Sequence, residues 1–219
     1  MTTYSTLDIG APKDGVSWNK GCKELGMQLK TSIIDRTPTM GQLADFFQRM
    51  PDWLYFSGHL SLQELYNDAE TVKIGFSDDG VTVTAGGQSR TLTKAAGDFQ
   101  LHQECALVLF GGCSALRDDE DIRSYRRLFD NPVLLGYAGG CGVDMNDAML
   151  GGDFIRNDFF NRVRNKMAQN DRHAVRDAWM ETARWGYGGG IYEERLRAVD
   201  QDGQEWILSG KQIVKGRKL

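Results

Sequence analysis

Two residues of this chain have the setting expected of a reactive thiol and its base. The apolar run 54–57 leads to His59, and the apolar run 107–110 leads through two glycines to Cys113. Each run predicts a buried strand that ends in a turn with one reactive side chain. Since the carboxyl ends of neighbouring parallel strands share one crevice, the imidazole and the thiol can meet there. The pattern predicts acyl transfer through a thioester, with Cys113 as nucleophile and His59 as general acid and base.

Backbone N–H groups beside these two residues are candidates for an oxyanion hole. The N–H groups of Gly58, Leu60 and Cys113 are the predicted donors. Gly111 and Gly112 are expected to let the backbone turn sharply before the thiol. The sequence assigns no third catalytic residue.

The elements before His59 alternate between strand and helix. We predict a strand at 4–9, a weak helix at 18–29, a strand at 31–35, and a helix that begins after the N-cap Thr39 and ends at Pro51. This strand–helix–strand–helix–strand order predicts a parallel sheet.

The remaining elements also fit one α/β domain. Between the two reactive residues we predict a short helical piece at 61–68 and a hairpin around Asp78-Asp79-Gly80, with strands at 72–77 and 81–85. After Cys113 we predict a helix at 118–129, a core strand at 133–138, helices capped by Asp153 and Asp171, and a closing hairpin of 191–199 and 205–208. No linker or repeat marks a second domain, so residues 1–219 are expected to form a single domain.

In these motifs and in the order of its elements, the chain resembles the caspase-like cysteine peptidases. Within them it is similar to the bacterial branch called CHAT domains, which also includes the separase protease domain. Gly58-His59-Leu60 and Gly112-Cys113-Ser114-Ala115 stand at the positions of the family's His-Gly and Ser-Cys-x-Ser-type motifs. The spacing of roughly 50 residues between His and Cys is also that of caspases. One departure is Leu60, since the family usually has glycine after the histidine and a larger side chain can crowd the site.

This resemblance implies a fold, an activity and partners. The fold is a caspase-like three-layer sandwich, with a mainly parallel sheet flanked by helices and small β-hairpin excursions. The activity is that of a cysteine endopeptidase with a Cys–His dyad, acting on a protein or peptide substrate under the control of a regulatory protein partner. In this fold the specificity pocket is formed by the ends of the first strands and of the strand after the nucleophile. In this chain those strand ends hold Asp8, Asp14 and Asp144. Acidic groups there favour Arg or Lys before the cut bond.

A second cysteine leaves the nucleophile open. Cys141 follows the predicted strand 133–138 and also has two glycines before it. We favour Cys113 because its strand follows the predicted hairpin and because Cys-Ser-Ala is closer to the family motif. Neither Cys22 nor Cys105 follows a pair of glycines, and both are interpreted as packing residues.

Other classes of function are also compatible with the pattern. The chain could be a catalytically inactive caspase-like module used for binding or scaffolding, a reading that Leu60 keeps open. It could also be an amidase or thioesterase that uses the same crevice. A nucleotide-binding domain is disfavoured because the glycine-rich runs contain neither a P-loop nor a G-x-G-x-x-G motif.

Composition narrows the partners and the compartment. A net charge of −4 gives no general attraction to nucleic acid or to an anionic membrane. No apolar stretch is long enough to span a bilayer and no signal sequence is evident, so we expect a cytoplasmic protein. Four cysteines are too few and too widely spaced for a disulfide framework, and the three isolated histidines do not suggest a zinc site. We therefore expect no metal and no cofactor.

Overall fold

A mixed eight-stranded sheet forms the centre of the protein. The computed structural model describes residues 1–10, 12–100, 105–139, 158–169, 173–186, 196–209 and 212–219. The strands of the protein, in both of its sheets, are β1 (Thr3–Asp8), β2 (Gln28–Ile34), β3 (Trp53–Ser57), β4 (His59–Ser61), β5 (Glu64–Tyr66), β6 (Lys73–Phe76), β7 (Gly80–Ala85), β8 (Gln88–Thr93), β9 (Leu107–Phe110), β10 (Val133–Tyr137), β11 (Leu196–Val199), β12 (Gln204–Ser209) and β13 (Gln212–Lys218). Its helices are α1 (Pro12–Glu24), α2 (Met40–Gln48), α3 (Asp119–Leu128), α4 (Phe160–Ala168) and α5 (Ala174–Gly186).

The strand order of the central sheet is β13-β12-β11-β10-β9-β3-β1-β2. The neighbouring strands β10, β9, β3, β1 and β2 pair in parallel. Strand β11 pairs antiparallel with β10, and β12 and β13 continue the sheet as antiparallel strands. The three strands that end at Ser57, Phe110 and Tyr137 are consecutive neighbours in this order. The predicted parallel sheet is confirmed, and the strands that lead to His59 and Cys113 are neighbours in it, as expected.

Helices cover both faces of this sheet because its central strands are apolar on both sides. Along β3, Leu54 and Phe56 lie in one core cluster, and Trp53 and Tyr55 lie in the other, as the two-residue period of a strand requires. The first cluster includes side chains of α2 and α3, and the second includes side chains of α1, α4 and α5. The α/β class and the flanking helices are therefore as predicted.

A second, antiparallel sheet of strands β4 to β8 lies between His59 and Cys113 in the chain. Its β6–β7 hairpin confirms the predicted one, with Phe76 opposite Val81. The predicted helical piece at 61–68 is wrong, since these residues form the β4–β5 hairpin. Its two turn residues, Leu62 and Gln63, have φ of 50° and 63°. A tight hairpin turn with two positive φ values usually has Asn or Gly there, so the sequence gives no turn signal.

The helices differ from the prediction mainly in their bounds. α1 begins at Pro12, a residue suited to the first position of a helix, and Gly26 follows its end with a φ of 75°. The two predicted late helices are present as α4 and α5, while Asp153 and Asp171 lie outside the described residues. Among the helices of the described ranges, none has both the length and the apolar character needed to cross a membrane.

Thr39 caps α2 as the sequence predicts. Its hydroxyl accepts the N–H of Gln42 at 3.3 Å, and the Gln42 side chain accepts the N–H of Thr39 at 2.8 Å. The two residues therefore form a capping box, which satisfies two N–H groups that the helix leaves unpaired.

Replacing Thr39 by alanine should destabilise the protein by about 1 kcal/mol, because the cap bond to the helix is lost. Denaturant unfolding of wild type and Thr39→Ala measures this difference. Thr37→Ala is the control, since Thr37 is exposed and precedes the helix. Equal losses in both variants would contradict the capping role.

Candidate active site

The turns that carry His59 and Cys113 are in direct contact. β3 and β9 pair in parallel up to Phe56 and Phe110, so their chains leave the sheet side by side. A Cβ atom added to Gly112 would lie 2.7 Å from the Gly58 carbonyl oxygen and 2.8 Å from Leu60 Cβ. Only glycine permits this approach. The residue before Cys113 thus packs on the residues that flank His59.

The two glycines before Cys113 are needed for close packing. A Cβ at Gly111 would lie 2.7 Å from the Tyr55 hydroxyl. The sharp turn comes one residue after the cysteine, at Ser114, whose φ is 58°. This left-handed conformation costs a non-glycine residue roughly 1–2 kcal/mol. The Ser114 N–H donates to the Gly139 carbonyl at 2.9 Å, which ties the turn to the chain just beyond β10.

His59 is the first residue of β4, at the edge of the small sheet. Its side chain is 41% exposed, and its ring stacks on that of Tyr66, the residue directly opposite on β5, with ring centroids 5.5 Å apart. The Nε2 atom lies 2.8 Å from Oδ1 of Asp68. Sequence reasoning missed Asp68, because only the β4–β5 pairing brings it to the imidazole.

Leu60 does not project into the crevice. Strand alternation turns His59 outward and Leu60 inward, where Leu60 is 4% exposed and belongs to the same core cluster as Leu65 and Ile74. In a hairpin with a two-residue turn, the N–H of Leu60 points away from β5. The Leu60 nitrogen is 3.5 Å from the position of a Cβ on Gly112. The Leu60 nitrogen therefore lies close to the residue before Cys113.

Cys113 is disulfide-bonded. This bond is not predictable from the sequence, because the cysteines are few and far apart. Cys22 and Cys105 are free and buried, and burial raises the pKa of both thiols, that of Cys105 to about 12. Neither is a nucleophile at neutral pH. Cys141, the alternative nucleophile, lies outside the described residues.

Two of the predicted pocket carboxylates lie at this end of the sheet but are buried. Asp8, at the end of β1, is 0% exposed and accepts the N–H groups of Gly10 at 3.2 Å and of Gly15 at 2.8 Å. It thereby anchors the first turn of α1. Asp14, within that turn, is 2% exposed. The third, Asp144, lies outside the described residues.

Tyr55 connects these carboxylates to the turn of Cys113. Burial raises the pKa of Tyr55 well above its ordinary value, and the charges of Asp14 and then Asp8 raise it further. The same hydroxyl lies against Gly111. The Tyr55 hydroxyl is therefore within the electrostatic influence of both carboxylates and also contacts the residue two before Cys113, although neither carboxylate meets solvent.

A cavity of about 720 Å³ lies at the other end of the sheet. Trp53, Leu107 and Val133, which begin β3, β9 and β10, line it together with Trp206 and Arg176. The Arg176 guanidinium is stacked 4.1 Å from the centre of the Trp206 ring. Because this cavity is at the amino ends of the strands, it has no part in the site at their carboxyl ends. Across the described ranges, no group of three or more His, Cys, Asp or Glu side chains is arranged to hold a metal ion.

Replacing Gly112 by alanine should destabilise the protein by about 1–3 kcal/mol, because the new methyl group overlaps the Gly58 carbonyl and the Leu60 side chain. Denaturant unfolding measures the loss. Gly41→Ala is the matched control, since a Cβ there meets no atom within 4 Å and alanine favours the helix. An unchanged unfolding midpoint for Gly112→Ala would show that the two turns are not in contact.

Comparisons with protein-family models, with curated proteins and with solved structures give no match for this chain.

Proposed function

We propose that this protein is a cysteine endopeptidase with a caspase-like, CHAT-type domain. The observation that carries the proposal is the contact of Gly112 with Gly58 and Leu60. It sets the residues before and after His59 against the residue before Cys113. This contact supports the proposal that two neighbouring strands of a parallel sheet bring an imidazole and a sulfur to one edge, where α/β enzymes have their sites.

The reaction begins from the reduced form of Cys113. His59 takes the thiol proton, and the thiolate attacks the peptide carbonyl carbon, so that an S–C bond forms and the carbonyl oxygen becomes an oxyanion. The N–H groups of Cys113, Gly58 and Leu60 are the proposed donors to this oxyanion. The imidazolium then gives its proton to the leaving amine as the C–N bond breaks. Water, deprotonated by His59, hydrolyses the thioester and releases the carboxylate product.

The position of Leu60 supports an active enzyme. Leu60 stands where the family usually has glycine, and a leucine side chain that filled the crevice would make the domain inactive. Since this side chain packs into the core, it leaves the crevice open.

The disulfide at Cys113 favours the second candidate, an inactive binding or scaffolding module. A sulfur in a disulfide is no nucleophile, so the proposed enzyme must be reduced by a dithiol before it can act. The cytoplasm, which the sequence predicts as the compartment, keeps such thiols reduced. A requirement for reductant therefore separates the two candidates.

Peptidase activity should appear only after treatment with a dithiol and should vanish in both Cys113→Ala and His59→Ala. Because the two residues act as one unit, the double variant should lose no more than either single variant. Hydrolysis of peptide substrates measures the activity, and circular dichroism checks that the variants are folded.

Cys141→Ala is the control for the choice of nucleophile. It should keep its activity and lose the requirement for a dithiol if Cys141 is the disulfide partner. Activity that survives in Cys113→Ala but not in Cys141→Ala would mean that the nucleophile is misassigned. No hydrolysis by the reduced wild type would favour the scaffolding module.

We also propose cleavage after a basic residue. Asp8 and Asp14 are carboxylates with little access to water, and both act on Tyr55 beside the turn of Cys113. A desolvated carboxylate forms its strongest hydrogen bonds with Arg or Lys. Because Asp8 and Asp14 are buried in this conformation, substrate binding must open a path to them.

A peptide library should show a preference for Arg or Lys before the cut bond. Asp14→Asn should reduce that preference by about tenfold, since it removes the charge while keeping the shape. Asp45→Asn, a change at an exposed position of α2, is the control and should have no effect. Preference of the wild type for Asp or for small apolar residues would reject this specificity.

A further inference from the structure

The His59 imidazole is held from two sides by residues of its own hairpin. Tyr66 stacks on the ring with an interplanar angle of 27°, and Asp68 bonds to Nε2 at 2.8 Å. A carboxylate can only accept hydrogen bonds, so the proton of a neutral imidazole lies on Nε2 when this bond forms. The lone pair is then on Nδ1.

Asp68 is itself fixed by contacts on either side. Its Oδ2 lies 3.4 Å from the Arg36 guanidinium. The preceding residue, Asn67, is buried and donates to the Arg36 carbonyl at 2.7 Å, while its own side-chain oxygen accepts the N–H groups of Thr71 and Val72. These bonds tie the turn after β5 to the chain beyond β2. Asp68 is therefore presented to His59 by a hydrogen-bonded turn.

We propose that Asp68 is a positioning residue, which holds His59 in the Nε2–H tautomer and directs Nδ1 toward the sulfur of Cys113. The inference rests on the proposed function and adds the third member that the sequence did not supply. Nδ1 is then the atom that takes the thiol proton and later gives it to the leaving amine. The Nε2 proton stays on the ring throughout, bonded to Asp68.

The solvent exposure of His59 and Asp68 allows a positioning role of Asp68 to be distinguished from a role in folding stability. The side chains of His59 and Asp68 are 41% and 54% exposed, and ion pairs in water at this exposure add little to folding stability. Removal of the carboxylate should therefore leave the unfolding midpoint nearly unchanged. Its effect should be confined to the imidazole and to the thiol that the imidazole serves.

The test compares wild type, Asp68→Ala and Glu70→Ala in the full chain after reduction with a dithiol. Glu70 is the matched control, because it is a carboxylate of the same turn that pairs with Lys73. The first measurement is the tautomer of His59 by ¹⁵N NMR at mildly alkaline pH, with His59→Gln to assign the signals. We expect Nε2–H in wild type and in Glu70→Ala, and a mixture of tautomers in Asp68→Ala.

The second measurement is the rate of alkylation of Cys113 by iodoacetamide, followed by peptide mapping. Asp68→Ala and His59→Gln should each slow this reaction by about tenfold, while Glu70→Ala should not. An Nδ1–H tautomer in wild type overturns the proposal, as does an alkylation rate that is the same with and without Asp68. Neither measurement needs peptide hydrolysis, so the absence of peptidase activity would count against the proposed function alone.

Discussion

The arrangement of the whole site depends on a line of backbone contacts between three glycines. A Cβ on Gly10 would lie 2.6 Å from the Cα of Gly58, and a Cβ on Gly112 would lie 2.7 Å from the Gly58 oxygen. These residues follow β1, β3 and β9, which are neighbours in the central sheet. Side chains at these positions would force the three strand ends apart, so the crevice exists only because the backbones can touch.

This packing decides how the reactive side chains are presented. Once Gly58 has passed between Gly10 and Gly112, the chain leaves the central sheet and starts β4 with His59. The strand alternation then sends Leu60 into the core and leaves the imidazole at the surface, beside Tyr66. The left-handed backbone at Ser114 turns the other chain back toward β10. Each step is a local consequence of residue size or backbone conformation.

Much of the central sheet was predictable from sequence because its strands are continuous apolar runs that end in small residues. The sequence did not predict the β4–β5 hairpin, because its turn residues, Leu62 and Gln63, adopt positive φ although neither residue type favours it. The partner of His59 was missed for the same reason. The strand β8 was also missed, although Gly86 and Gly87 are a recognisable hairpin turn with φ of 59° and 75°.

The cysteines show a different limit of sequence reasoning. The sequence correctly identifies Cys22 and Cys105 as packing residues, because neither follows a pair of glycines, and both are free and buried. Spacing along the chain could not reveal the disulfide at Cys113, because the distance between two sulfurs depends on tertiary structure.

The small antiparallel sheet has a consequence for the cooperativity of the protein. Its strands hydrogen-bond to one another and form a sheet separate from the central one, which they meet through core side chains such as Leu65 and Phe76. His59 and Asp68 belong to this layer, whereas Cys113 follows a strand of the central sheet. The proposed base and the proposed nucleophile thus reside in different structural units. A local opening of the small sheet would disassemble the site while the central sheet stays folded, so function can be lost at a temperature below that of global unfolding.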